Sequence, residues 1–234
     1  MSKDVIIACD FSSKKALMNF IEKFEKERPF LKIGMELYYS EGPQIVRELK
    51  DRGHKIFLDL KLHDIPNTVK KSLSVLSNLD VDLCNIHASG TTPMMKAALE
   101  GFTKESGQRG LLIAVTQLTS TSEETMKEDL LIEKSLDETV MHYASKTKEA
   151  GLDGVVCSPL EARKVKEVCG ENFLTITPGI RFAGGDKGDQ VRVTTPKKAK
   201  ELGSDYIVVG RSITGAENPL EAYRKCVNEF LGGM

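Results

Sequence analysis

Eight short runs of β-branched and apolar residues start about 20 to 40 residues apart, separated by segments of helical spacing, and predict an α/β fold, a TIM (β/α)8 barrel. The 234 residues leave little beyond those eight units, so residues 1–234 are expected to form a single barrel domain. Two further observations narrow the choice. Several runs are apolar on both faces, as strands of a helix-covered parallel sheet are. No Gly-x-Gly-x-x-Gly follows the first run, and a doubly wound sheet, the alternative, usually carries fewer strands.

The runs justify themselves in order. Residues 5–9 form the first, followed by a helical stripe of Ala16, Leu17, Phe20, Ile21 and Phe24 that Ser12 or Ser13 is placed to cap. Residues 31–34, 55–60, 83–87 and 111–115 supply the second to fifth strands. The polar, acidic interval 116–136 predicts a loop and a short extra helix. Residues 154–157 and 173–177 are the next two strands. The glycine- and charge-rich interval 178–193 is expected to act as a lid or binding loop. Residues 206–210 complete the eight. After them Pro219 stands near the start of a helix with Ala222, Tyr223, Cys226, Val227 and Phe230 on one stripe.

Composition excludes several classes. The 33 basic and 34 acidic residues give a net charge of −1, with no electrostatic reason to expect nucleic acid or an anionic membrane as partner. No run approaches the ~20 apolar residues of a membrane span, and Met1 to Asp4 lack the start of a signal peptide. Five cysteines are an odd number without a C-x-x-C pair, and Cys9, Cys84 and Cys157 sit in apolar runs as buried free thiols do. A soluble, reduced, cytoplasmic protein is expected.

In a barrel of this kind the chemistry sits at the C-terminal ends of the strands. Asp10 closes the first strand, Lys32 lies within the second, and Asp59 and Lys61 end the third, before His63, Asp64, Pro66 and Asn67. His87 ends the fourth, and Arg211 follows the eighth. Alternation decides which of these meet. Phe57, Asp59 and Lys61 share one face, while Ile56, Leu58 and Leu60 share the other and must pack on helices. Asp59 and Lys61 therefore point into the barrel mouth. By the same parity Lys32 opposes Leu31 and Ile33, and Asp10 shares a face with Ile6 and Ala8. Two lysines and two aspartates converge, with Asp64 as a candidate third carboxylate. Buried charges are costly unless paired, which favours a functional site over an ion-pair network that only closes the barrel. Asp59 and Asp64 would also suit magnesium, but Lys32 places a positive charge where that ion would sit.

A phosphate site follows separately. The loops after strands seven and eight commonly bind phosphate. Here they carry Gly179, Gly184, Gly185 and Gln190 in one, and Gly210, Arg211 and Ser212 in the other. Backbone N–H groups at Gly210 and Arg211 with a guanidinium fork would hold a dianion. His63 and His87 suggest acid–base chemistry, but His87 is better placed to order the barrel mouth.

Residues 59–68, Asp-Leu-Lys-Leu-His-Asp-Ile-Pro-Asn-Thr, resemble the D-x-K-x-x-D-I-P-x-T signature of the orotidine 5′-phosphate decarboxylase family. The resemblance extends over the whole chain, through Asp10, Lys32, residues 116–120, residues 177–181 and Val209-Gly210-Arg211. It implies loss of CO2 from orotidine 5′-monophosphate to give uridine 5′-monophosphate, the last step of de novo synthesis of that pyrimidine nucleotide, without cofactor or metal. It also implies a homodimer in which Lys32, Asp59, Lys61 and Asp64 alternate in charge, with Asp64 donated across the interface. Lys61 is the expected proton donor. Asp10 and Lys32 are expected at the ribose, Asp64 and Thr68 at the neighbouring subunit's nucleotide, and Thr119 and Ser120 at the pyrimidine. Gln190, Gly210 and Arg211 are expected to hold the phosphate with Arg181 supporting that end, and Ile65 and Pro178 are expected among the substrate-binding residues. Magnesium-dependent phosphosugar decarboxylases and aldolases share D-x-K-x-x-D but carry an acid where this chain has Lys32, and are the alternative. A nucleotide-binding regulator without chemistry is a third possibility, which the intact Lys-Asp-Lys-Asp set opposes.

Overall fold

The computed structural model describes residues 3–183 and 193–232. Eight parallel strands close into one barrel in sequence order: β1 (Asp4–Ala8), β2 (Phe30–Gly34), β3 (Ile56–Leu62), β4 (Leu83–His87), β5 (Leu111–Val115), β6 (Gly154–Val156), β7 (Leu174–Thr177) and β8 (Tyr206–Val209). The helices are α1 (Lys14–Ile21), α2 (Met35–Glu41), α3 (Pro43–Asp51), α4 (Pro66–Ser77), α5 (Thr91–Phe102), α6 (Glu123–Leu130), α7 (Leu136–Glu149), α8 (Ala162–Cys169), α9 (Pro196–Glu201), α10 (Arg211–Thr214) and α11 (Pro219–Leu231). The expected strands agree with these within about one residue at most ends, where boundary assignments ordinarily vary. The one larger difference is β3, which runs on through Leu62.

Local sequence accounts for the helix starts. Ser13, of the two candidate serines, caps α1 by accepting the N–H of Ala16. The extra helix expected in 116–136 is α6, capped by Ser122. Pro219 occupies the first turn of α11 behind an Asn218 cap.

Two apolar layers follow the strand alternation. Ile6, Ala8, Phe30, Phe57, Leu83, Ile113, Ile176 and Val208 fill the barrel. Val5, Ile7, Leu31, Ile33, Ile56, Leu58 and Leu60 face the helices, as the parity of the sequence requires. All five cysteines are buried free thiols. Among the described residues no helix is long and apolar enough to cross a membrane.

The barrel floor repeats one device three times. Asp82, Asp153 and Asp205 immediately precede β4, β6 and β8. Each donates its backbone N–H to the carbonyl of Ile56, Leu112 or Thr175, and its carboxylate accepts that same residue's N–H at 2.7, 2.7 and 2.9 Å. Each carboxylate also holds a cation: Lys50 at 2.7 Å, Arg109 at 2.9 Å and Lys166 at 2.5 Å. Strand ends that would otherwise leave an N–H unpaired are thereby closed. Before β2 stands Pro29, whose carbonyl takes the Nδ1–H of buried His54 at 3.0 Å instead. These contacts close the end of the barrel opposite to the rim where barrels of this kind carry their chemistry.

Candidate active site

The C-terminal rim opens into a cleft of about 660 Å³. Inward parity delivers Lys32 from the middle of β2 and Asp59 from β3, both less than a tenth exposed. Asp10 follows β1 two residues beyond Ala8, on the same inward face. The four charges form a chain of contacts. Lys32 Nζ lies 2.9 Å from Asp10 Oδ1 and 3.1 Å from Asp59 Oδ2, and Lys61 Nζ lies 2.7 Å from Asp59 Oδ1. Acid and base alternate along it, so each buried charge has an opposite neighbour.

Burial pulls the Lys32 ammonium pKa down, but the carboxylates of Asp59 and Asp10 outweigh it and set the pKa above that of an ordinary lysine. Burial pushes the Asp59 carboxyl up. The ammonium groups of Lys32 and Lys61, with hydrogen bonds from Lys61 and Asn85, outweigh that and hold it below an ordinary aspartate. Both groups are charged at neutral pH.

Lys61 has a backbone φ of +50°, which side-chain-bearing residues rarely adopt. The register between β3 and β4 shifts here, from the pair Leu58–Cys84 to the pair Leu62–Ile86. Asn85, fully buried on β4, spans the irregularity: its Oδ1 accepts the Lys61 N–H at 2.8 Å, and its Nδ2 donates to Asp59 Oδ1 at 2.7 Å. Asn85 was missed from sequence. The signal was present, because Leu83, Asn85 and His87 share the inward face of an otherwise apolar strand. His63 and His87 stack with ring centroids 5.7 Å apart. Burial, and then His63 and Lys61, lower the His87 pKa, leaving it neutral at neutral pH.

Around this core the cleft is lined by Thr119 and Ser120 from the loop after β5 and by Pro178 and Arg181 after β7. Gly210 and Arg211, at the start of α10, complete it. Gln117 also lines the cleft and was not singled out. Gly184, Gly185 and Gln190, with most of the expected lid, lie outside the described residues.

Three expected residues are not brought to this cleft by their own chain. Asp64, Ile65 and Thr68 are exposed and line no part of it. Asp64 therefore does not join Asp59 and the two lysines of its own chain. Asp64 lies past the end of β3, where strand parity no longer aims its side chain, and its Oδ1 accepts the N–H of Ile65 at 2.6 Å. Within the chain the fourth member of the array is Asp10.

A barrel that keeps four charges in alternating contact at the C-terminal mouth of its strands stands among the (β/α)8 enzymes, which act at that end. Comparison supplies the particular family. Residues 3–226 match the model of the orotidine 5′-phosphate decarboxylase / HUMPS family, and the chain belongs to that family. It is 61% identical to an orotidine 5′-phosphate decarboxylase of Bacillus cytotoxicus over 99% of both chains. It is 60% identical to one from Bacillus cereus strain AH187 over the same shares. Among solved structures, an orotidine 5′-phosphate decarboxylase from Lactobacillus acidophilus superposes with a TM-score of 0.88 at 40% identity, covering 98% of this chain and 99% of that one. An uncharacterized conserved protein from Geobacillus kaustophilus gives 0.87 at 49% identity, covering 97% and 99%.

Proposed function

We propose that the protein decarboxylates orotidine 5′-monophosphate to uridine 5′-monophosphate and CO2, the last step of de novo pyrimidine nucleotide synthesis, as a cytoplasmic homodimer. The observation that carries this reading is the ammonium of Lys32, seated between the carboxylates of Asp10 and Asp59. A magnesium-dependent phosphosugar lyase needs those oxygens for its metal, whereas here a fixed cation occupies their bonding positions. Whole-length identity to proteins named orotidine 5′-phosphate decarboxylase supports the same choice.

The chemistry balances without an electron sink. The bond from C6 to the carboxylate breaks, CO2 departs, and the electron pair stays on C6. Lys61 then gives a proton from Nζ to C6 and is re-protonated by solvent. Its ammonium, held 2.7 Å from Asp59, faces the place where charge develops and stabilises it electrostatically. Asp59 stands beside the departing carboxylate. Two like charges ~4 Å apart repel by about 4 kcal/mol at an effective dielectric of 20, or about three powers of ten in rate. Slow reactions need a larger barrier reduction than that, so carbanion stabilisation and substrate positioning carry the greater share.

Asp10 and Lys32 hold the ribose hydroxyls, Thr119, Ser120 and Pro178 border the pyrimidine, and Arg181, Gly210 and Arg211 take the phosphate. Gln190 is assigned to the phosphate from its sequence position alone. Asp64, Ile65 and Thr68, exposed on their own chain, serve the nucleotide of the partner subunit. The test is the fall in ultraviolet absorbance when protein treated with EDTA meets orotidine 5′-monophosphate. Turnover unaffected by the chelator is expected. Absence of turnover, or its loss on chelation, would reject the reading.

A further inference from the structure

The array depends on a strained backbone at its most important residue. Between the pairs Leu58–Cys84 and Leu62–Ile86, β3 advances four residues while β4 advances two. The excess is a bulge, and bulges beside active sites re-aim side chains. Inside it Lys61 takes φ +50°, a conformation that persists only where surrounding structure determines it. The bulge also removes the strand partner of the Lys61 N–H, inside the barrel where an orphan donor is costly.

One side chain answers both problems. Asn85 Oδ1 accepts the Lys61 N–H at 2.8 Å, and Nδ2 donates to Asp59 Oδ1 at 2.7 Å. The same Asp59 oxygen receives Lys61 Nζ at 2.7 Å. Backbone and side chain of Lys61, Asp59 Oδ1 and the Asn85 amide thus close one ring of hydrogen bonds. The orientation of the amide is fixed, because turning it over would set donor against donor and acceptor against carboxylate. We propose that Asn85 is a positioning residue: it holds Lys61 in its left-handed conformation and fixes the Asp59 carboxylate, which places the proton-donating ammonium. The inference rests on the decarboxylase reading above and adds to it a residue, itself at the wall of the cleft, that acts through Lys61 and Asp59.

Few other charges reach Asn85. Asp59 and Lys61 face it from β3, Lys32 stands behind Asp59 from β2, and His87 is the next inward residue on its own strand. From β5 its ladder partner is Ile113, which is uncharged.

Two variants test it, each measured for turnover and for binding of uridine 5′-monophosphate by calorimetry. Asn85→Leu removes both hydrogen bonds at similar volume. Misplacement of a reacting group by about an ångström costs about 10²-fold, so kcat is expected to fall by about that factor, with product affinity kept within about threefold. Asn85→Asp keeps the shape. When protonated, the introduced carboxyl still donates to Asp59 and accepts from Lys61; when ionised it cannot donate and repels Asp59. The ratio of its kcat to that of the unaltered protein should fall at least about tenfold between about pH 5.5 and 8.5. A residue that only filled space would give no such pH dependence. A flat ratio for Asn85→Asp, or kcat of Asn85→Leu within about threefold of the unaltered protein, overturns the inference. Should Asn85→Leu fail to fold, the pH ratio of Asn85→Asp decides. Failure of the unaltered protein to turn over would instead reject the decarboxylase reading.

Discussion

Replacing Lys61 by alanine separates chemistry from binding. The lysine is three-quarters buried and touches Asp59, while Asp59 keeps its second partner, Lys32, at 3.1 Å. The substitution therefore does not leave a buried carboxylate unpaired. It adds no new backbone strain either, because alanine at φ +50° bears the same Cβ penalty as lysine. Two contributions to rate are lost. An ammonium ~4 Å from a developing carbanion supplies about 4 kcal/mol at an effective dielectric of 20, close to a factor of 10³. A positioned general acid contributes about 10²–10⁴ more.

Lys61→Ala is accordingly expected to lower kcat by about 10⁵–10⁷, below detection in a bleaching assay. The affinity for uridine 5′-monophosphate, measured by calorimetry, should change by less than about tenfold, because the proposed ribose and phosphate contacts come from Asp10, Lys32 and the loops after β7 and β8. Retention of kcat within a hundredfold would refute the assignment of Lys61 as proton donor. Loss of product binding together with kcat would show that the residue builds the pocket and does not act in the chemical step.

The floor, the dimer and the pH response supply the other predictions. Asp205→Ala leaves the Lys166 ammonium, 6% exposed, with the carbonyls of Glu171 and Phe173 but without its carboxylate, and should cost about 3–5 kcal/mol. Asp82→Ala strands the better-solvated Lys50, and about 1–2 kcal/mol is expected. Calorimetric melting reads both, and equal losses would contradict the argument from burial. Mixing inactive Lys61→Ala and Asp64→Ala chains should restore about a quarter of the native activity, because half of randomly mixed dimers carry one intact site. No recovery after subunit exchange would show that Asp64 is not shared. The Asp59 pKa is depressed, so its contribution is present above the ordinary carboxylate value and is lost as pH falls through its folded value. The Lys32 pKa is raised, so its contribution is present below the ordinary lysine value and is lost as pH rises through its folded value. His54 and His87 are depressed, so their contributions are lost first, as pH falls below the ordinary histidine value of 6.5. Thermal stability should therefore be level from about pH 7 to 9 and decline below about 6.5. A melting temperature that rises on acidification from 7 to 5.5 would contradict these assignments.

What the sequence made legible was whatever obeys a period. Lys32 between Leu31 and Ile33, and Asp59 between Leu58 and Leu60, could be aimed inward because a strand alternates, and both are found there. Alternation also named Lys61 correctly, though for an incomplete reason. The bulge adds two residues to β3, an even number, so inward parity survives while the backbone at Lys61 turns left-handed. Nothing in Asp-Leu-Lys-Leu announces that turn, because its cause lies on another strand, in Asn85. Past the last paired residue parity has no authority. Asp64 was grouped with the cluster by proximity in sequence, and the chain leaves it outside.

The two ends of the barrel use the same chemical groups to opposite purpose. On the floor, each of three aspartates binds one cation and one backbone residue and so closes a strand end. At the mouth, Asp59 also has two cations and a neutral donor, but those cations line an open cleft and one sits on a strained bulge. Ion pairing by itself therefore does not distinguish structure from catalysis in this protein. The distinction lies in what the array still offers. A floor aspartate closes a strand end, whereas Asp59 holds Lys61 beside an open cleft, where the proposed function places the substrate carboxylate. Among the four charged residues of the mouth the left-handed backbone falls at Lys61 alone, the residue to which the proposed function assigns the proton transfer.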